Sequence, residues 1–275
     1  MTVGAGVARP FQIVADSGCN LPPWLIRRFD VATIPTAYYA KGEPRVELLY
    51  DAGAGFNADD FYARMISGEN FTVDSLDSST CERFLTPLIE ESGGDILFLF
   101  SSSEVFSNAE SIQLYFDEMT SRYPGRNFIA VDTLSVGLGF GRLLMQVCEL
   151  REEGASIYAV AQWLKNNRLG VCQWFLVKDG QKLLHVNNSG KLYPPVETAR
   201  GNTLLDAYRH RSKRPYYQHS PTIVHASNID AAMYLAAQLD EHFELTKPMI
   251  YDIEPGLGSK LGPGALGLIF WGGPR

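Results

Sequence analysis

Three scarcities bound what this 275-residue chain can be: few cysteines, no basic excess and no long apolar run. The four cysteines, Cys19, Cys81, Cys148 and Cys172, form no Cys-x-x-Cys pair, and no histidine stands at a zinc spacing from them. That excludes a disulfide-stapled scaffold and leaves no zinc signature, so four free thiols are expected, two or three of them buried. The five histidines (His185, His210, His219, His225 and His242) are scattered without a His-x-x-x-His pair, and neither a metal nor a cofactor is expected. With 24 basic and 31 acidic residues the net charge is −7. Such a chain makes a poor partner for nucleic acid or for an anionic membrane surface. No apolar stretch approaches the ~20 residues that span a bilayer, and segments such as 96–100 and 266–271 are strand-sized. Residues 1–10 carry one cation, Arg9, and no apolar leader core, so a cytoplasmic protein without stable membrane insertion is expected.

What is present is an ordinary globular composition, 45% hydrophobic and 20% charged, which excludes wholesale disorder. At ~150 residues per domain the length suggests about two domains. The pattern predicts strands over 11–15, 31–40, 46–50, 95–100 and 128–131. Helices are predicted over 22–28, after Asn57, after Ser78-Ser79-Thr80, around 112–119, over 136–150 and after Ser156. This alternation implies a mainly parallel α/β sheet. The second half reads differently: extended segments over 171–177, 183–186, 191–195, 222–226, 249–253 and 265–271, with helices over 204–211 and 229–243. The soft boundary lies near 160, giving domains 1–160 and 161–275. The one basic run, Arg209-His210-Arg211-Ser212-Lys213-Arg214, reads as a solvated helix end or, alternatively, a docking patch.

Gly262-Pro263-Gly264-Ala265-Leu266-Gly267 matches G-x-G-x-x-G, but a dinucleotide site needs a following helix and a later acid, and the last residues look like a strand. Gly256-Leu257-Gly258-Ser259-Lys260 fails the phosphate-loop spacing. Gly137, Gly139 and Gly141 in an apolar helix point to close packing. Ser101-Ser102-Ser103 follows a buried strand, where open α/β sheets bind ligands, and reads equally well as helix capping. Asp74-Ser75-Leu76-Asp77-Ser78 is likewise a capping loop or a pocket wall. Asp16-Ser17 and Asp132-Thr133 also end strands. No Ser/His/Asp order is defensible, and no catalytic signature stands out.

Taken in order, several motifs run along nearly the whole chain: Asp16-Ser17 with Leu21-Pro22, then Ile34-Pro35, the Ser75 loop and Ser101-Ser102. Val131-Asp132-Thr133 follows with the glycine helix, then Ala199-Arg200-Gly201 and Leu261-Gly262-Pro263-Gly264-Ala265-Leu266-Gly267. This order resembles the DegV family. The resemblance implies two α/β domains, the N-terminal one with a mainly parallel sheet and flanking helices, the C-terminal one with a mixed sheet and helices. It implies a non-catalytic protein that holds one long-chain fatty acid or similar amphiphile, the tail in an apolar tunnel and the carboxylate at the domain junction. It also implies a separate fatty acid kinase catalytic subunit as partner. A buried CH₂ contributes ~0.8 kcal/mol, so a long tail binds strongly and the head needs only a few donors.

Carried over by position, the resemblance makes Ser75, Ser101 and Ser102 headgroup donors, with Arg200 and Lys260 as electrostatic partners and Gly262 and Gly264 beside them. Asp74 stands where the family has a threonine, Val105 and Phe106 where it has Ser-Gly, and Lys260 where it has a histidine; the segment 178–191 looks shortened. An ionised Asp74 at ~4 Å from a fatty carboxylate would cost about 4 kcal/mol at an effective dielectric of 20. Asp74 is therefore expected to stay protonated or to contact Lys260 or Arg200. The alternative is a degenerate DegV-like interaction or regulatory protein that no longer binds a fatty acid. An enzyme acting on an anionic small molecule is a third reading; it would require a buried titratable pair in a polar cleft.

Overall fold

The computed structural model describes residues 11–41, 47–177, 182–193, 196–197, 203–212, 220–243, 245 and 248–275. The apolar segment β1 (Phe11–Asp16) runs into a single 3-10 turn, Ser17–Cys19, and α1 (Pro23–Arg28) starts on a proline at its first position. The next extended stretch is two strands, not one. β2 (Val31–Ile34) pairs in parallel with β1, whereas β3 (Thr36–Ala40) leaves for another sheet. The break falls at Pro35, which has no N–H for a ladder. β3 pairs antiparallel with β4 (Glu47–Tyr50) and with β5 (Phe71–Val73), on either side of α2 (Ala58–Ile66).

Next come α3 (Ser78–Ser92), β6 (Asp95–Phe100), α4 (Ala109–Arg122), β7 (Phe128–Asp132), α5 (Gly137–Glu152) and α6 (Ile157–Asn167). Asn57, Asn108 and Ser156 cap α2, α4 and α6; the cap of α3 is Asp77, one residue before the expected serine run. The parallel sheet has the order β2-β1-β6-β7. The second half supplies β8 (Val171–Val177), β9 (Lys182–His185), β10 (Val196–Glu197), α7 (Leu204–Arg211), β11 (Thr222–His225), α8 (Ile229–Phe243), β12 (Met249–Asp252), α9 (Pro255–Leu261) and β13 (Leu266–Trp271). Its mixed sheet runs β10-β9-β8-β13-β11-β12, with only β11–β12 parallel. The glycine-rich stretch before β13, not expected to be helical from the sequence, is helix α9.

Strand alternation sorts the core into layers. Ile13, Ala15, Leu97, Leu99 and Val131 on one face of the parallel sheet join one cluster with Phe140, Leu143, Leu144 and Val147 of α5 and with Val171, Phe175 and Ile269 of the mixed sheet. The opposite faces pack outward. Val14, Ile96, Phe98 and Phe100 meet Leu85 and Ile89 of α3 and Ile112 and Phe116 of α4. Cys172, Leu268 and Phe270 meet Tyr208 of α7 and Leu235 and Leu239 of α8. Helix α5 thus lies between the two sheets. Its glycines make that possible: a Cβ on Gly139 would come within 2.2 Å of Gln173, and one on Gly141 within 2.4 Å of the Cys19 carbonyl. All four cysteines are free and all four are buried.

Candidate functional site

The carboxyl ends of β1 and β6 lie side by side, and the residues just beyond them are joined through one carboxylate. Asp16 accepts from the Gly18 N–H and the Ser101 hydroxyl, each at 2.8 Å, and also from the Ser101 N–H. A Cβ on Gly18 would sit 2.4 Å from the Ser101 hydroxyl, so glycine is what lets the 3-10 turn approach. Asp16 is only 6% exposed. Burial pushes its carboxyl up to about 6, against the pull of the Ser101 and Gly18 hydrogen bonds, and nearby Asp132 adds to the rise.

The loop after β5 pairs with the loop after β6. The Leu76 N–H donates to the Phe106 carbonyl at 2.8 Å, and the Asn108 N–H returns to the Leu76 carbonyl at 2.7 Å. Ser107 is buried and donates its hydroxyl to the Ser101 carbonyl at 2.8 Å. From the second half, Glu254 follows β12 and caps α9, accepting from the Leu257 N–H at 2.8 Å and from the Gly256 N–H. It is 1% exposed, and burial pushes it up to about 8, with Asp16 contributing. Tyr62 of α2 donates to the Ile253 carbonyl at 2.6 Å, and this contact holds α9 close to the first half.

These groups line a cavity of about 210 Å³, to which Pro35, Val73, Leu76, Phe84 and Phe106 give an apolar wall. Among its described lining residues the carboxyls of Asp16, Glu47, Asp74 and Glu254 outnumber one cation, Arg83. Arg83 is paired with Glu47 at 2.9 Å. The arrangement can hold a polar head by hydroxyls and an apolar stem by the wall, and its electrostatics favour a head that brings no extra negative charge.

Of the residues singled out in the sequence, Asp74, Ser75 and Ser101 line this cavity. Ser102 faces elsewhere and donates to the Gly190 carbonyl at 2.7 Å, tying the β6 end to the loop after β9. Lys260 is exposed on α9 with its ammonium 5.1 Å from the centre of the Phe106 ring, itself a cavity wall. Gly262 and Gly264 form the turn into β13 with φ of +86° and +80°, values that favour glycine. The Gly264 N–H reaches the Ala226 carbonyl at 2.7 Å. Arg200 and residues 178–181, the start of the segment expected to be shortened, lie outside the described residues. Sequence reasoning missed Glu254 and Ser107. The available signal for Glu254 was an acid immediately before a proline at a strand end, which is an N-cap pattern. Among the described residues no cluster of three or more His, Cys, Asp or Glu is placed to hold a metal, and no helix is long and apolar enough to cross a membrane.

Residues 10–192 match the sequence model of the DegV family, described as "Uncharacterised protein, DegV family". A DegV domain-containing protein of Clostridium perfringens is 23% identical, the alignment covering 96% of this chain and 98% of that protein. Among solved structures, DegV of Bacillus subtilis, described as a fatty acid binding protein, superposes with a TM-score of 0.77 at 16% identity, covering 96% of this chain and 100% of that one. A DegV family protein of Thermus thermophilus, described as binding fatty acid, gives 0.75 at 19%, covering 96% and 99%. One from Eubacterium eligens, loaded with heptadecanoic acid, gives 0.76 at 13%, covering 95% and 99%. The family model matches more than half of its length, and the chain belongs to the DegV family.

Proposed function

We propose that this protein binds a long-chain fatty acid or a similar amphiphile without transforming it, and presents its head to a separate kinase. The observation that carries the reading is the cavity at the β1 and β6 ends, where the Ser75, Ser101 and Ser107 hydroxyls stand beside a wall of Val73, Leu76, Phe84 and Phe106. The fatty acid binding described for the DegV proteins of Thermus thermophilus and Bacillus subtilis, and the heptadecanoic acid held by that of Eubacterium eligens, lend it support. In this reading the chain divides near residue 160 and the head lies at the junction, since Glu254 and Gly256 come from the second half. Ser75 and Ser101 hold the head directly. Ser102 fixes the strand end on which Ser101 sits. Gly262 and Gly264 set the turn behind α9. Lys260 and Arg200 offset the negative charge that Asp74 brings. The presentation of the head to a kinase, and a cytoplasmic location, are parts of the same proposal.

The test is extraction of lipid from the purified protein, with native mass spectrometry of the intact chain. About one fatty acid per chain is expected, and a chain that stays empty after incubation with palmitate overturns the reading. One observation favours a second reading. The cavity, at about 210 Å³, falls below the ~300–1,000 Å³ of ordinary small-molecule sites, and its lining is rich in acid. A family member that has given up acyl binding for a regulatory interaction fits that observation, and the empty chain is its expected result.

A further inference from the structure

In the cavity at the β1 and β6 ends, the hydrogens of the polar groups already have partners within the protein. A hydroxyl has one hydrogen to give. That of Ser101 goes to Asp16 and that of Ser107 to the Ser101 carbonyl, each at 2.8 Å. Ser79 and Thr80, also in the lining, both donate to Asp77, at 2.7 Å and 3.2 Å. The backbone N–H groups of Gly18 and Ser101 donate to Asp16, and that of Gly256 to Glu254. Arg83, the one cation among the described lining residues, is held by Glu47. Lys260 is exposed beside the Phe106 ring and is not in the lining.

What these groups can still offer a ligand is lone pairs. A hydroxyl that has donated keeps two acceptor sites, and a carboxylate has about four. Asp16 accepts three hydrogen bonds and Glu254 two, so both have capacity left. Among the described residues neither carboxyl has an ion-pair partner. Both are raised by burial, as negative charge held out of water is when no cation offsets it. A carboxylate head sets acceptors against acceptors and adds a like charge. A hydroxyl head matches the lone pairs. A primary ammonium matches them with three donors and also brings the missing positive charge. Glu254 holds a proton at neutral pH while no cation is beside it, and an ammonium there favours its ionised form.

We propose that the amphiphile this cavity prefers is a long-chain primary amine, its ammonium among the oxygens of Asp16, Ser101 and Glu254 and its chain along Val73, Leu76, Phe84 and Phe106. This rests on the amphiphile reading above and specifies the head. The experiment is calorimetric titration of the full chain at neutral pH with dodecylamine, dodecanol, dodecanoate and dodecyltrimethylammonium, each below its micelle concentration. The trimethylammonium head has the same charge as the amine and no N–H. Dodecylamine is expected to bind once per chain, about tenfold or more tighter than dodecanoate and than dodecyltrimethylammonium, with dodecanol between the amine and dodecanoate. Ser75 is an exposed lining residue, so S75W crowds the cavity and keeps the fold, checked by its thermal midpoint. It is expected to weaken dodecylamine about tenfold. Dodecanoate binding as tightly as dodecylamine overturns the choice of head and leaves the amphiphile reading standing. Equal affinity for dodecyltrimethylammonium, or undiminished dodecylamine binding by S75W, marks attraction to the acidic surface and also overturns the proposal. Failure of all four to bind overturns it together with the amphiphile reading.

Discussion

At the scale of single residues the site turns on one proton. The Ser101 hydroxyl has a single hydrogen and gives it to Asp16 at 2.8 Å. A fatty carboxylate held by Ser101 needs that same hydrogen. It is released when Asp16 takes up a proton and becomes the donor to Ser101. Asp16 lies at about 6 and Glu254 at about 8, both raised by burial. An incoming carboxylate raises both further, so binding takes up protons, and affinity rises as pH falls. Between pH 8 and pH 6 the affinity for palmitate is therefore expected to increase, by up to about tenfold per pH unit for each proton taken up. A long-chain alcohol brings no charge and is expected to show a much flatter profile under the same fluorescence displacement assay. Tighter binding of palmitate at pH 8 than at pH 6 contradicts this account. Ser101→Ala removes the donor, and a loss of about tenfold in palmitate affinity is expected at pH 6.

At the scale of elements, the prediction concerns the helix between the sheets. A Cβ on Gly141 would lie 2.4 Å from the backbone carbonyl of Cys19, which cannot swing away as a side chain can. Gly141→Ala is expected to lower stability by about 1–3 kcal/mol, read as an earlier urea midpoint; an unchanged midpoint would show that α5 can shift away from the 3-10 turn. This packing was legible in the sequence, because three glycines in an apolar helix have few other uses. So were most strands and helices, since β6, β8 and β13 are apolar runs bounded by turn residues. The division of 31–40 between two sheets was less legible: Pro35 marked it, but the β-branched and aromatic residues on either side read as one strand. The three-residue β5 is too short to carry a period. Helix α9 was hidden by its glycines, which disfavour helix by propensity. Proline at its start, the Glu254 cap and the Tyr62 contact outweigh that cost. The site divides in the same way. Ser75 and Ser101 are visible from their places at strand ends, whereas the burial of Glu254 beside Asp16 arises from packing between distant parts of the chain.

At the scale of the whole molecule, the two sheets share a core, and this decides how the protein unfolds. Joined domains move and unfold independently unless their interface is large and apolar. Here Ile13, Leu97 and Val131 from the parallel sheet, Phe140, Leu143 and Val147 from α5, and Val171, Phe175 and Ile269 from the mixed sheet belong to one buried cluster. Polar ties cross at the same level: Asn20 to the Asp252 carbonyl at 2.9 Å, Tyr62 to the Ile253 carbonyl and Ser102 to the Gly190 carbonyl. Exposing either sheet alone would strip the common face of the other, so partial unfolding forfeits apolar burial on both sides. A single cooperative transition is expected in urea. Trp174 and Trp271 lie in the mixed sheet and the Trp163 ring packs on Trp271 at 6.3 Å between centres, so tryptophan emission reports mainly the mixed sheet and its contact with α6, whereas far-ultraviolet circular dichroism reports both halves. Coincident curves from the two probes support one unit. A tryptophan transition displaced from the dichroism curve would show that the halves part first, and with them the cavity, because Asp16 and Ser101 come from one half and Glu254 from the other.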